Sequence, residues 1–158
     1  MKMSVIIATY GRPDALAAAV ESLRRQGRPP DEIIVVAWCD DDASRPVIER
    51  VAKSPGERVA WPRVTSIMVE ENTVSAKENA GMHAASGDII CFMDDDAVAH
   101  PDWLRRLEQH YADPTVAAAG GRDVVIKQGE QSPVRTVSRV GRLTWFGRLD
   151  GNHHERAV

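Results

Sequence analysis

Four compact runs of β-branched and apolar residues constrain what this chain can fold into. They cover residues 4–8, 32–38, 64–69 and 89–93. Between them apolar residues recur at helical spacing, as over residues 14–26. Strands that are apolar throughout are buried on both faces of a sheet, and their alternation with helices is typical of a parallel sheet flanked by helices.

Length and composition fit a globular protein of about one domain. The 158 residues carry a net charge of −3, and the arginines are scattered among acids, so nucleic-acid binding is not expected. No segment has the length of a transmembrane helix, and Cys39 and Cys91 form neither a disulfide framework nor a zinc motif. We therefore expect a cytoplasmic protein, with peripheral attachment at the inner face of a membrane as an alternative.

The periodic pattern ends near residue 120. Residues 1–120 are predicted to form an α/β core, and residues 121–158, rich in Gly, Arg, Ser and His, are predicted to be loop-rich. A fifth strand is predicted over residues 116–119.

Helix boundaries are also predicted. Ser75 and Glu78 have the spacing of a capping box for a helix that runs through Ala85, and Gly27 is placed to end the helix over residues 14–26.

Polar clusters follow three of the predicted strands, beginning at Thr9, Asp40 and Asp94. In parallel α/β sheets, ligands bind beyond the carboxyl ends of the strands. The three clusters are therefore predicted to converge on one edge of the sheet.

The acidic triplet (Asp94, Asp95 and Asp96) carries the strongest chemical signal. Adjacent carboxylates repel one another unless a cation neutralises them. In an extended backbone Asp94 and Asp96 face one way and Asp95 the other. One or two carboxylates together with substrate phosphates suit Mg²⁺ or Mn²⁺. The alternative is a solvated acidic turn, with Asp96 or Asp102 capping the next helix.

Two further segments have candidate ligand-binding side chains. Tyr10 is suited to stack on a base and Arg12 to pair with phosphate. In the segment SAKENAG, Lys77 is suited to neutralise a phosphate and Asn79 to form a local hydrogen bond. Each segment also fits a simpler interpretation, the first as a strand-to-helix turn and the second as a capped surface helix.

The cluster CDDDAS follows the second strand. Asp40 or Asp41 is suited to accept a hydrogen bond from a base N–H or a ribose hydroxyl, whereas Asp42 or Ser44 is suited to cap the next helix. These two interpretations are compatible.

The chain resembles family 2 glycosyltransferases over roughly its first two-thirds. Four segments carry the resemblance, in this order: VIIATYGRP, EIIVV with its following aspartates, SAKENAG and GDIICFMDDDAVAHPDWL. The resemblance implies a GT-A-type three-layer α/β/α fold with a mainly parallel, Rossmann-like sheet. It also implies transfer of a sugar, with inversion, from a nucleoside diphosphate sugar, either a UDP- or a GDP-sugar. The acceptor is an unidentified glycan, lipid or small molecule.

The resemblance also implies roles for single residues. The turn at Ala8, Thr9 and Tyr10, with Asp40 or Asp41, holds the base, and Lys77 lies near the base or the phosphates. The triplet becomes the DxD-type motif, in which Asp95 lies near the ribose. The metal, Mn²⁺ or Mg²⁺, then binds Asp96 together with Asp94.

Three departures from the family pattern bear on these roles. Ala37, Trp38 and Cys39 stand between EIIVV and the following aspartates, and Lys77 stands where arginine is commoner. The catalytic base usually lies downstream in an acidic motif before a helix, and residues 121–158 contain no such motif. We therefore expect a donor-binding part, truncated at the C-terminus, that transfers sugar poorly alone.

Other interpretations stay open. The chain is alternatively a binding module without turnover, or a phosphohydrolase of the DxDx(T/V) type, with Asp94 attacking phosphorus. Several side chains in residues 121–158 are candidates for a functional role, but each also fits a purely structural one. The candidate roles are sugar stacking by Trp145 and Phe146, metal binding by His153 and His154, and proton transfer by Asp150 or Glu155.

Overall fold

The computed structural model describes residues 1–53, 62–121 and Val124, together with the backbone of six two-residue strands between residues 126 and 157. The chain divides into two compact units, Met1–Pro114 and Thr115–Val158. The first unit therefore ends slightly before the core predicted over residues 1–120. An acceptor-side role for the later residues stays a prediction.

Strands and helices alternate through the first unit, as the sequence predicted. The elements are β1 (Met3–Thr9), α1 (Pro13–Arg24), β2 (Glu32–Trp38), α2 (Arg45–Lys53), β3 (Arg63–Val69), α3 (Val74–Ala84), β4 (Ile89–Phe92) and α4 (Trp103–His110).

The four strands form one parallel sheet in the order β3-β2-β1-β4. Val5 of β1 lies opposite Ile33 of β2 on one side and Cys91 of β4 on the other. Along the chain, β2 and β3 are added in turn on one side of β1, and β4 is then added on its other side. Since such crossovers are right-handed, this reversal places α3 on the opposite face from α1 and α2. The predicted three-layer, Rossmann-like α/β fold is confirmed.

The central strands supply the core. Ile6, Ile34 and Val36 are buried in one cluster against Ala80 of α3. Gly81 lets the helix lie close to the sheet, because a Cβ atom there would be 2.5 Å from Cγ2 of Ile6. Burying side chains of this size contributes roughly 1.5–3 kcal/mol each, so the core holds the strand ends at a fixed edge.

The predicted capping box of α3 is wrong. Thr73, not Ser75, is the N-cap, since its Oγ1 accepts a hydrogen bond from Ala76 N at 3.1 Å. Thr73 has extended backbone, which suits an N-cap, so the helix begins at Val74 and encloses Ser75. Glu78 takes no part in the cap.

The predicted end of α1 is also too late. The helix stops at Arg24, and Gly27 does not cap it. Gln26 is buried instead, where its Nε2 donates to the His100 carbonyl oxygen at 2.7 Å and its Oε1 accepts from Leu104 N at 3.1 Å. These two bonds draw the chain out of the helix toward α4.

The second unit has short strands among its described residues. They are β5 (Ile126–Lys127), β6 (Glu130–Gln131), β7 (Thr136–Val137), β8 (Arg142–Leu143), β9 (Leu149–Asp150) and β10 (Arg156–Ala157). The pairs β5–β6 and β8–β9 are antiparallel, and β7–β10 is parallel.

The strand predicted over residues 116–119 is wrong, because that segment is irregular. Its alanines have low strand propensity, and Ala117 and Ala118 are exposed, so the segment has no apolar face to bury.

Some candidate residues lie outside the described residues. These are Trp145, Phe146, His153, His154 and Glu155. Of Asp150 only the backbone, in β9, is described. Within residues 1–53 and 62–121, no helix is both long enough and apolar enough to cross a bilayer.

Candidate functional site

The carboxyl ends of β1, β2 and β4 bring their polar clusters together, as the sheet topology requires. Thr9 at the end of β1 donates a hydrogen bond from Oγ1 to Oδ2 of Asp95, beyond β4, at 2.7 Å. On the other side of β1, the Gly11 N–H donates to Oδ2 of Asp41, beyond β2, at 2.9 Å. The turn after β1 is therefore fixed from both neighbouring strands.

This turn depends on Gly11, whose φ of +65° lies in the left-handed region that side chains disfavour. The turn directs Tyr10 and Arg12, its two neighbours, out of the sheet, and both side chains are exposed.

Asp41 has a structural task. It is 4% exposed, and its second oxygen, Oδ1, accepts from the Ser44 N–H at 3.1 Å. Burial alone would raise the pKa of Asp41, but the hydrogen bonds from Ser44 and Gly11, with Lys77 nearby, hold that pKa below its usual range. Asp40 is exposed, so of the two predicted candidates it is the one accessible to a ligand.

The acidic triplet alternates in burial, but residues 95–96 lie in a turn and not in the extended backbone that the prediction assumed, and Ala97 N donates to the Asp94 carbonyl oxygen at 3.2 Å. Asp95 is 1% exposed, whereas Asp94 and Asp96 face solvent. Arg12 joins the two sides, because its Nη2 lies 3.0 Å from Oδ1 of Asp95 and its Nη1 pairs with Oδ2 of Asp96. The buried carboxylate thus has a hydroxyl and a guanidinium as partners.

An aromatic corner lies beside the turn. The half-exposed Tyr10 ring meets Trp38 edge-on, with centroids 5.8 Å apart and an interplanar angle of 63°. Trp38 is itself fixed by a hydrogen bond from Nε1 to the Glu70 carbonyl oxygen at 3.1 Å. One face of an aromatic ring is thereby held at the edge of the sheet.

Lys77 reaches the same corner from α3. It is 4% exposed, its Nζ donates to Oδ1 of Asn72 at 2.6 Å, and the ammonium lies 5.6 Å from the Tyr10 centroid. Burial lowers the pKa of Lys77, and the charges of Asp41 and Asp95 oppose that shift.

A cavity of about 80 Å³ opens between α3 and the end of β4. It is lined by apolar residues and by four charged side chains: Ile6, Ala8, Val74, Phe92, Met93, Arg12, Glu78, Asp94 and Asp95.

Most predicted site residues meet at this edge. They are Ala8, Thr9, Tyr10, Arg12, Asp41, Lys77, Asp94, Asp95 and Asp96, with Asp40 exposed at the end of β2. Asn79 does not join them. It is exposed and two positions from Lys77, so it lies on a different face of α3.

Sequence reasoning missed three contributors: Trp38, Asn72 and Glu78. Trp38 had a signal, since an aromatic residue directly before an acidic cluster at a strand end is placed to contact the neighbouring turn. Glu78 also had one, as it is four residues from Val74 and so shares its helix face. Asn72 had none in the sequence.

Two solved structures have a fold similar to that of this chain. The mannosyltransferase PcManGT from Pyrobaculum calidifontis, in complex with GDP-Man and Mn²⁺, has a TM-score of 0.64 at 24% identity and covers 73% of this chain and 33% of that chain. S. aureus TarS 1-349, in complex with UDP-GlcNAc, has a TM-score of 0.58 at 22% identity and covers 70% of this chain and 32% of that chain. The fold is that of the GT-A glycosyltransferases.

The family follows from the sequence. Residues 4–155 match the profile described as Glycosyl transferase family 2, and the chain belongs to that family. A glucosyl-dolichyl phosphate glucuronosyltransferase of Haloferax volcanii is 29% identical over 128 residues, 77% of this chain and 38% of that protein. The uncharacterized glycosyltransferase YwdF of Bacillus subtilis is 36% identical over 107 residues, 68% of this chain and 37% of that protein. The chain thus spans less than two-fifths of these relatives' length.

Proposed function

We propose that this chain binds the donor in a metal-dependent glycosyltransferase. The enzyme transfers a sugar from a UDP- or GDP-sugar, with inversion, to a glycan, lipid or small-molecule acceptor. The observation that carries this proposal is the shared edge at which Tyr10, Arg12, Lys77 and the acidic triplet meet. An aromatic ring, cationic side chains and exposed carboxylates are the groups that a base, a diphosphate and a divalent cation require.

The aromatic corner supports a base subsite. Tyr10 offers a ring that Trp38 holds in place, and the exposed carboxylate of Asp40 is available to accept from a base N–H. Base–aromatic stacking contributes about 1–3 kcal/mol per base in proteins that bind single-stranded nucleic acid. Uridine and guanosine both present an imide-type N–H, so this corner alone does not choose between them.

Arg12 and Lys77 support a diphosphate subsite between the base corner and the triplet. Arg12 is half-exposed, and its planar fork matches phosphate oxygens. Lys77 is a buried point charge between Asp41 and Asp95, and we assign it to the base-proximal phosphate side.

The exposed members of the triplet suit a hard divalent cation. Asp94 and Asp96 supply carboxylate oxygens, the donors that Mg²⁺ and Mn²⁺ prefer. Within the described residues, no three His, Cys, Asp or Glu side chains are gathered as a metal cage. The donor set therefore fits a cation that takes its remaining ligands from the diphosphate. When bound, such a cation offsets the charge that develops on the departing diphosphate.

The acceptor side is a separate question. Inverting transfer needs a carboxylate that takes the proton of the acceptor hydroxyl, a contribution of about 10²–10⁴-fold. The buried carboxylates at this edge already have partners, Asp95 in Thr9 and Arg12 and Asp41 in Gly11 and Ser44. These two are therefore not available as that catalytic base, and the alternative function is binding of the nucleotide sugar without turnover by this chain.

We also propose a reducing, cytoplasmic setting, with attachment at the inner face of a membrane as the alternative. Both Cys39 and Cys91 carry free thiols, and burial raises the pKa of Cys91 to about 11, which keeps it protonated. Fractionation of cells that express the tagged protein would test this placement.

Calorimetric titration with UDP and with GDP, each with Mn²⁺ or with EDTA, tests donor binding. We expect one nucleotide to bind and the affinity to fall when EDTA removes the metal. Equal affinity in EDTA would contradict the metal-bridged diphosphate, and no binding of either nucleotide would contradict the function itself. Release of free sugar from the donor, measured in parallel, separates turnover from binding.

The roles within the triplet are tested by two variants. We expect Asp96→Ala to abolish metal binding more completely than Asp95→Ala, because Asp96 is a proposed direct ligand. Asp95 is 1% exposed and its oxygens already contact Thr9 and Arg12, so its loss would weaken the ribose side of the site by the equivalent of one charge-assisted hydrogen bond, about 1.5–3 kcal/mol. A melting curve for each variant is the control, since Asp95 is buried. Equal loss of metal and nucleotide in both folded variants would show that the roles are assigned wrongly.

A further inference from the structure

Arg12 pairs with Asp96, one of the two side chains proposed to bind the metal, and with its buried neighbour Asp95. Its Nη1 pairs with Oδ2 of Asp96, and its Nη2 lies 3.0 Å from Oδ1 of Asp95. A single guanidinium thus pairs with both the buried and one exposed carboxylate of the triplet. The two contacts are unequal, because Asp95 is 1% exposed and Asp96 is 56% exposed.

This arrangement sets Arg12 and a divalent cation in competition. A carboxylate that forms an ion pair with a guanidinium has less negative charge to offer a metal, and the two cations repel each other at short distance. Arg12 cannot lose its own charge to relieve that repulsion, since guanidinium stays protonated in proteins.

The backbone around Arg12 is anchored, so the competition concerns the side chain. The preceding Gly11 N–H is held by Asp41 at 2.9 Å, and the Arg12 carbonyl oxygen accepts from Leu16 N at 3.0 Å. The side chain is 53% exposed and makes no N-cap hydrogen bond to α1. Exposed side chains change rotamer rapidly, so Arg12 can leave Asp96 without disturbing the turn.

We propose that Arg12 is a built-in counterion of the acidic triplet, and that its guanidinium passes from Asp96 to the donor's diphosphate when metal and donor bind together. The inference rests on the proposed donor-binding function. It adds a dependence of metal binding on the donor. Without donor, the metal competes with Arg12 for Asp96, whereas a bound diphosphate pairs with Arg12 and leaves Asp96 available to the metal. Metal and nucleotide are therefore coupled through one side chain.

A titration with Mn²⁺ alone tests the competition in the absence of nucleotide. Binding is measured by electron paramagnetic resonance, as the fall in the signal of free Mn²⁺. We expect Arg12→Ala to bind Mn²⁺ about threefold to tenfold more tightly than the unaltered chain, a modest gain because the pair with Asp96 is exposed. Arg12→Lys should give an intermediate affinity, since lysine keeps the charge without the fork. Arg25→Ala is the matched control, because it removes the same charge from an exposed arginine that pairs with Glu21.

A double variant locates the effect. The gain should disappear in Arg12→Ala/Asp96→Asn relative to Asp96→Asn, since the competed carboxylate is then missing. Mn²⁺ affinity in Arg12→Ala that is unchanged, weaker, unmeasurable, or raised equally by Arg25→Ala would overturn the proposal.

The second measurement concerns the coupling. In the unaltered chain UDP or GDP should strengthen Mn²⁺ binding, and Mn²⁺ should strengthen nucleotide binding by the same factor. Arg12→Ala should reduce that factor severalfold, and an unreduced factor would overturn the transfer of Arg12 to the diphosphate. If neither nucleotide binds the unaltered chain, the proposed function fails and with it the transfer to the diphosphate, while the titration with Mn²⁺ alone still decides the competition.

Discussion

The two ends of the parallel sheet are both rich in charge, but they use it differently. At the amino edge, one carboxylate oxygen of Glu32 accepts from Ser4 Oγ, Ser86 N and Ser86 Oγ, at 2.6, 2.7 and 2.9 Å. Next to it, Arg28 donates to Asp31 and Glu108. We call these six residues the amino-edge network. Each charged group has a partner within the network, and Arg28, Asp31 and Glu108 also contact Met1 or Met3, so the network ties the strand starts to the surrounding loops and to α4.

The carboxyl edge buries only some of its acids. Asp41 and Asp95 have hydrogen-bond partners, whereas Asp40 and Asp94 are exposed to solvent. Charge that is fully paired within the fold contributes to stability, and charge that faces solvent beside a cavity is accessible to a ligand. The comparison predicts that substitutions at the amino edge lower stability, and that substitutions of exposed acids at the carboxyl edge lower binding.

The largest change in stability is expected for Glu32→Ala. The variant leaves the buried Ser4 hydroxyl without its acceptor and removes the bonds from Ser86, at a cost of about 1–3 kcal/mol. Urea unfolding measures the free energy, and nucleotide affinity should not change. Glu32→Gln, which keeps an acceptor oxygen, should lose less. If Glu32→Ala is as stable as the unaltered protein, the proposed contribution of the amino-edge network to stability is wrong.

Next come the two neighbouring acids of the triplet. Asp95→Asn weakens a buried, charge-assisted contact with Arg12 and should cost about 1–2 kcal/mol of stability. Asp94→Asn changes an exposed side chain and should leave stability within about 0.5 kcal/mol, while Mn²⁺-dependent nucleotide binding falls about tenfold. Unfolding and calorimetry on both variants make the comparison. Equal stability loss in the two would contradict the difference in burial.

The amino edge should also shape the response to acid. Burial would raise the pKa of both Asp31 and Glu32. Hydrogen bonds from Met3 N and Arg28 to Asp31, and from Ser4 and Ser86 to Glu32, outweigh it and lower both pKa values. The folded state therefore binds these protons less readily than the unfolded state, so the stabilisation is present above the ordinary carboxyl pKa of about 4 and is lost as pH falls below it.

Urea unfolding between about pH 3 and pH 7 measures this dependence. The double variant Asp31→Asn/Glu32→Gln should be less stable near pH 7 and should show a shallower loss toward pH 3. If the free energy of unfolding falls with pH as steeply as in the unaltered protein, these two carboxyl groups do not cause the loss of stability in acid.

The smallest effect is expected for Asp42→Ala. This carboxylate is 91% exposed and lies 3.5 Å from Arg45, so stability should change by at most about 0.5 kcal/mol. Thermal melting checks that value. Calorimetry on the same variant sharpens the comparison, since a fall in nucleotide affinity at unchanged stability would add Asp42 to the ligand-accessible acids. A large loss of stability would place it with Asp41 instead.

Local pattern was enough to predict the sheet. Residues 32–38 were predicted as a strand and β2 has those bounds, because a short β-branched run between a proline pair and an acidic cluster favours a strand over a helix. The ends of α1 and α3 were less accurate. Gln26 leaves α1 for bonds to His100 and Leu104, partners more than seventy residues away, which no local rule contains.

The site was predicted as a set of strand ends, because parallel topology alone brings Thr9, Asp41 and Asp95 together. What the sequence did not contain is the pairing within that set. The partner of Arg12 depends on a side-chain rotamer and on which strand lies beside β1. The choice between Asp40 and Asp41 depends on burial, which only the folded turn at Gly11 decides.

Gly81 has a consequence beyond the core. It lies one helical turn after Lys77, on the same face of α3, and its missing side chain sets how far the helix axis stands from Ile6. A side chain at this position requires Ile6 or the helix to shift, and a shift of the helix would withdraw the lysine ammonium from the Tyr10 ring. The position of the Lys77 ammonium at the ligand edge therefore depends on Gly81, which is buried on the face of α3 that packs against the sheet. Selection on ligand affinity would thus also act on a position that touches no ligand.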